Sequence, residues 1–156
     1  MDYSLPARKL LLSDVSACRI VRRANGQPLL QVNGFTLQRV WVQGILRSLD
    51  AASPATGTQG MQGGEVPTGG GGSAAEGRLF LDDGSAAVEI VPAKGGSPPQ
   101  VGSYVQVIGA LCTRPASPPF IKVHKLVDLS AHPNRESLWF LEVMESHMRA
   151  RAMSST

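Results

Sequence analysis

Val40-Trp41-Val42-Gln43-Gly44-Ile45-Leu46 is the run on which the reading of this chain turns. β-Branched and aromatic side chains crowd it, and the glycine in its middle marks a bulge or a sharp coil rather than a flat strand. Its flanks extend the β-forming stretch from Phe35 to Leu49.

Downstream, Arg78-Leu79-Phe80-Leu81 and Ala86-Ala87-Val88-Glu89-Ile90-Val91 are two β runs joined by Asp82-Asp83-Gly84-Ser85. Asp-Gly between such runs signals a hairpin, because glycine takes up positive φ without penalty. Asp82 and Asp83 are therefore read as turn residues and not as paired carboxylates for acid–base or metal chemistry. A fourth run, Tyr104 to Cys112, follows the turn pair Val101-Gly102, and the proline-rich loop Arg114 to Pro119 leads into a fifth, Phe120 to Leu129. That last run alternates apolar and polar side chains, as a half-buried strand does. Five strands, the first long and glycine-bearing, the next two a hairpin and the fourth reading Val-Gly-Ser-Tyr-Val-Gln-Val-Ile-Gly, predict an all-β OB-fold, a five-stranded barrel.

The period then changes. Pro133 suits the first turn of a helix, predicted over about residues 135–147 and carrying Leu138, Trp139, Phe140, Leu141, Val143 and Met144, with Met148 just beyond. These side chains cover roughly 200° of a helical wheel, whereas docking on one surface needs a stripe of roughly 100° or somewhat more. The helix is expected to touch two things. Trp139 has two readings, a core anchor or an interface anchor, and the breadth of the arc favours the second. Trp41, beside two valines, is read as core.

Residues 51–76 contain eight glycines and only two charges, Glu65 and Glu76. Too little apolar surface offsets their ordering entropy, so they are expected to form a disordered loop inside the domain. The organisation that follows is one OB domain over 38–148, an N-terminal extension over 1–37 that packs strands on the barrel, and a flexible tail over 149–156. With 156 residues, the chain suits one domain.

The function classes narrow by elimination. No run approaches the roughly 20 apolar residues of a membrane helix, and Met1 to Leu12 lacks a signal-peptide apolar region, so a soluble intracellular protein is expected. Cys18 and Cys112 stand far apart and are read as buried thiols. His124, His132 and His147 are scattered, which leaves no metal site with ordinary ligand spacing, and no cofactor is expected. No GxSxG, HExxH, phosphate-binding loop or dinucleotide motif occurs. The tetraglycine Gly69–Gly72 has neither a Lys-Ser/Thr pair nor a helix after it. The chain is read as not an enzyme.

The sequence pI of about 9.2 raises nucleic acid as a partner. Five of the cations, Arg8, Lys9, Arg19, Arg22 and Arg23, fall within residues 1–25 against Asp2 and Asp14, and the rest of the chain is balanced at ten of each sign. A phosphate-tracking groove needs a stripe of cations and stacking aromatics along strands 2 and 3 of the barrel. This chain offers Arg78, Phe80, Arg114, Phe120 and Lys122, opposed by Glu89. These are weak nucleic-acid residues, and DNA contact is expected to be mainly indirect.

Several stretches together resemble RecQ-mediated genome instability protein 2: Val40-Trp41-Val42-Gln43-Gly44, Gly102-Ser103-Tyr104-Val105-Gln106-Val107-Ile108-Gly109, and Leu126-Val127-Asp128-Leu129-Ser130 with Pro133-Asn134-Arg135-Glu136-Ser137-Leu138-Trp139. The last block, continued by Glu142-Val143, is the most specific. The similarity covers about residues 38–50 and 77–148, and more loosely 7–30. It implies a non-catalytic nuclear OB subunit that pairs, OB domain to OB domain, with the larger RMI subunit. Through that subunit it would reach a RecQ helicase and topoisomerase III, which dissolve double Holliday junctions, suppress crossovers and maintain genome stability. Lys9 matches a lysine in the family's first strand, and the helix of Leu138, Trp139, Leu141, Val143 and Met144 matches its terminal helix, both regions of protein contact. The alternative is a free-standing OB protein that binds single-stranded DNA.

Overall fold

An eleven-residue strand, β5 (Arg39–Leu49), organises the barrel by serving different neighbours along its length. The computed structural model describes residues 7–22, 28–49, 77–93 and 100–154. The loop expected to be disordered, 51–76, lies outside the described residues. Ahead of β5 come β1 (Arg8–Lys9), α1 (Leu12–Ser16), β2 (Arg19–Arg22), β3 (Pro28–Val32) and β4 (Phe35–Leu37). After it come β6 (Arg78–Asp82), β7 (Ala87–Val91), β8 (Tyr104–Cys112), β9 (Phe120–Asp128) and α2 (Asn134–Ser154).

One edge of β5 pairs with β8, from Arg39↔Ala110 to Ile45↔Tyr104. Its other edge takes β1 in parallel at Val40 and Trp41, then β6 in antiparallel from Ile45 to Leu49. The change of partner falls at Gly44, where a Cβ would lie 2.6 Å from the carbonyl oxygen of Asp82. Glycine is needed there for close backbone approach. β6 pairs with β7, β7 with β9 in parallel, and β9 with β8, closing the OB-fold ring.

The bulge itself sits elsewhere. Between Ile108 and Gly109 of β8 the register to β9 jumps from Lys125 to Val123, so His124 is the extra residue. This explains why the alternation read over Phe120–Leu129 fails at its centre, where His124 and Lys125 are both exposed. A side chain at Gly109 would collide with the backbone oxygen of Lys122.

Two expectations for the chain ends are corrected. Phe35 to Leu49 is not one strand: β4 belongs to a separate three-stranded sheet, β2-β3-β4, and the chain bends at Gln38 before β5 begins. That sheet joins the common core through Leu30, Val32 and Leu37. At the other end, α2 continues to Ser154 rather than ending near His147, so residues 149–154 are helical and not a flexible tail. Leu-Glu-Val-Met-Glu-Ser-His-Met-Arg-Ala-Arg-Ala-Met contains no glycine or proline to stop it.

The Asp82–Ser85 turn does more than reverse the chain. Gly84 adopts a φ of 82°. Asp83 Oδ1 accepts from the backbone N–H of Ser85 at 2.9 Å, while its Oδ2 accepts from the N–H of Leu12 at 2.8 Å. Ser85 Oγ accepts from the N–H of Ser13 at 3.1 Å. The turn therefore caps α1 from outside and satisfies first-turn N–H groups that a helix leaves open. The cap seats Leu12 and Val15, both fully buried, in the core. Asp83→Ala is expected to destabilise the domain by about 1–2 kcal/mol, read in urea unfolding. An unchanged midpoint would show that the cap does not hold in solution.

Candidate functional site

α2 has two unlike faces. Trp139 and Val143, one turn apart, are buried against the rest of the chain at 3% and 1% exposure. Lys9 reaches them from β1, whose parallel pairing sets Lys9 beside Trp41. The Lys9 ammonium lies 5.0 Å from the Trp41 ring centre and 5.9 Å from that of Trp139. It donates to Glu142 Oε2 at 2.8 Å. Neither indole N–H has an acceptor among the described residues. Apolar contact and the ammonium are what hold this cluster. Beside the start of α2, buried Gln43 donates to Gln106 at 3.3 Å and accepts from the Tyr104 hydroxyl at 3.3 Å. Burial, with the Glu136 carboxylate next in effect, pushes the Tyr104 phenol up to about 12, so it remains a donor at neutral pH.

The opposite face of α2 carries Leu138, Phe140, Leu141, Met144 and Met148, all exposed and the last at 65%. Leu141, Met144 and Met148 follow the spacing i, i+3, i+7, with Phe140 and Leu138 on the two flanks. Glu145 and Arg149, paired at 2.6 Å, border this stripe on the side toward β1. The wide apolar arc is thus two stripes. The structure splits the six residues named from sequence accordingly: Leu138, Leu141 and Met144 face outward, whereas Lys9, Trp139 and Val143 pack inward. The reading of Trp139 as an exposed anchor is corrected, since an indole with almost no accessible surface offers a partner nothing without moving. Phe140 and Met148 belong to the outward stripe, and helical spacing alone would have grouped them with it.

The residues weighed for nucleic acid also come together, around Glu89. Phe80 on β6 stands directly opposite Glu89 on β7. Arg78 is hydrogen bonded to Glu89 Oε2. Arg114, from the β8–β9 loop, grips the same carboxylate through both nitrogens at 2.9 and 3.2 Å. Each guanidinium also covers a ring: Arg78 at 5.4 Å from the Phe80 centre and Arg114 at 3.9 Å from that of Phe120. The Arg78 hydrogen bond, with Arg114 adding to it, holds the Glu89 carboxyl below the usual range against the opposing effect of burial. Lys122 stands exposed two residues beyond Phe120.

Among the described residues, no three His, Cys, Asp or Glu side chains gather into a group able to hold a metal ion. Cys18 and Cys112 are free thiols, and burial pushes that of Cys18 up. Among the described residues, no helix is long and apolar enough to cross a membrane.

A family model described as RecQ-mediated genome instability protein 2 matches residues 59–147. The chicken protein of that name is 36% identical over 117 residues, covering 71% of this chain and 67% of its own length. Among solved structures, a chain of a replication protein A heterotrimer bound to single-stranded DNA superposes with a TM-score of 0.62 at 14% identity, over 93% of this chain and 98% of its own. A chain of the Stn1–Ten1 complex of S. pombe gives 0.63 at 16% identity, over 97% and 98%. At such identities these two likenesses speak to the fold.

Proposed function

Because the chain belongs to the RecQ-mediated genome instability protein 2 family, we propose that it is a non-catalytic OB subunit that pairs with the larger RMI subunit. In this reading it works in the nucleus, and through that subunit it supports a RecQ helicase and topoisomerase III in dissolving double Holliday junctions without crossovers. The observation that carries the reading is the outward stripe of α2. Five large apolar side chains on one exposed helix face are a liability in a free monomer and the expected core of an interface in a complex. Both structural neighbours come from heteromeric assemblies, a replication protein A heterotrimer and a Stn1–Ten1 complex. Recovery of the tagged full-length chain from cell extract is expected to bring down the larger RMI subunit, with the helicase and topoisomerase lost when that subunit is depleted. Recovery of the chain without it would contradict the reading.

A second reading, a single-stranded-DNA-binding protein, draws on Phe80, Phe120, Arg78, Arg114 and Lys122 lying on one side of the barrel. It is weakened by the carboxylate that two of the three cations already engage.

A further inference from the structure

Strands 2 and 3 of an OB barrel, with the loop between strands 4 and 5, are where these folds take up oligonucleotides. In this chain those elements are β6, β7 and the β8–β9 loop, and they carry the parts such a site needs. Phe80 and Phe120 supply rings for stacking, and Arg78, Arg114 and Lys122 supply cations. The parts are present but turned on one another. Glu89, its side chain 13% exposed, accepts from both guanidinium groups.

We propose that Glu89 determines what this face binds: by engaging Arg78 and Arg114 it holds shut a platform for single-stranded nucleic acid, which opens when the carboxylate loses its charge. A phosphate approaching Arg114 must displace a bidentate, charge-assisted partner already in place, and it meets the negative charge of Glu89 as it does so. A base approaching Phe120 finds an arginine 3.9 Å over that ring. With Glu89 charged, the cluster spends its cations and part of its aromatic surface internally. Without that charge the two arginines and Lys122 form a run of three cations beside two rings. The arginines hold the carboxylate ionised through the neutral range, so a shift within it does not open the face. This inference concerns a face of the barrel other than α2 and stands independently of the pairing reading.

The test uses the full-length chain and a fluorescein-labelled oligo-dT, titrated between 50 and 200 mM salt. The native chain is expected to bind at non-specific levels, ~10⁻⁴–10⁻⁶ M at physiological salt. Glu89→Gln keeps the side chain's size and removes its charge. It is expected to bind about tenfold tighter at the lowest salt, with a salt slope steeper by about 1.4, two phosphate contacts at roughly 0.7 each. Adding Phe80→Ala and Phe120→Ala is expected to abolish the gain. Should Glu89→Gln melt far below the native chain, Glu89→Thr, which suits a strand, is titrated instead. A charge-neutral variant with unchanged affinity and slope overturns the proposal. So does one that gains equally for polyglutamate, since that marks a general cation patch. Capture of the larger RMI subunit by Glu89→Gln is expected to equal that of the native chain. Loss of capture by the native chain itself would count against the pairing reading and leave this inference untouched.

Discussion

Trp139→Ala is expected to cost the domain ~3–5 kcal/mol of folding stability, the range for removing a buried tryptophan. At the 2–4 °C per kcal/mol typical of a chain this size, the melting temperature falls by roughly 6–20 °C. The expectation rests on what the indole touches. It is buried beneath α2, it shares the Lys9 ammonium with Trp41, and its removal leaves Lys9 and Glu142 paired beside a cavity. Partner binding is expected to fall as a consequence, because the outward stripe is presented only while the inward stripe is docked. Trp139→Phe is expected to recover part of both. Thermal unfolding of the free chain checks this, or of the co-expressed pair if the native chain does not fold alone. An unchanged melting temperature with lost partner binding would restore Trp139 as a contact residue and contradict the placement described above.

The barrel was legible because its signals are local. The Asp83-Gly84 turn, the glycine within β5 and the run Tyr104–Cys112 each carry their own pattern, and closure follows once five strands are counted. Asn33-Gly34 is an equally local signal. Both residues take positive φ, 51° and 82°, in a two-residue turn between β3 and β4, the commonest hairpin signal there is. Without that signal, Phe35–Leu37 reads as fused to β5. The β-bulge at His124 is marked in the sequence only by the adjacent polar pair His124-Lys125, and it takes the pairing to Gly109 to make the step.

At the site, the wide apolar arc on α2 divides into a stripe packed on the barrel and a stripe left exposed, but the wheel alone does not say which side faces the barrel. That depends on Lys9 and Trp41, far away in sequence, which fix the inward face around Trp139. The breadth of the arc weighted Trp139 toward the interface, and packing places it in the inward stripe instead. The cations weighed for nucleic acid were found, as was the acid opposing them. That one carboxylate holds both arginines was not legible, because Arg78 meets Glu89 within the β6–β7 hairpin whereas Arg114 reaches it only when the barrel closes.

The outward stripe gives the largest expected effect on association. Leu141 and Met144 are exposed, so Leu141→Glu with Met144→Glu is expected to alter the chain's own stability little, within about 0.5 kcal/mol per site. If both residues lie at the centre of an interface, each contributes 2 kcal/mol or more, and the double variant loses about a thousandfold in affinity. Charge placed on an apolar surface adds a desolvation cost. The decisive measurement is the dissociation constant between the full-length chain and the C-terminal OB domain of the larger RMI subunit, for the native chain and the double variant, with melting curves recorded for both. The account predicts tight one-to-one binding by the native chain, near-complete loss in the variant and matching melting curves. Equal affinity for the two chains would contradict it, and the outward face of α2 would then not be the surface through which this protein works.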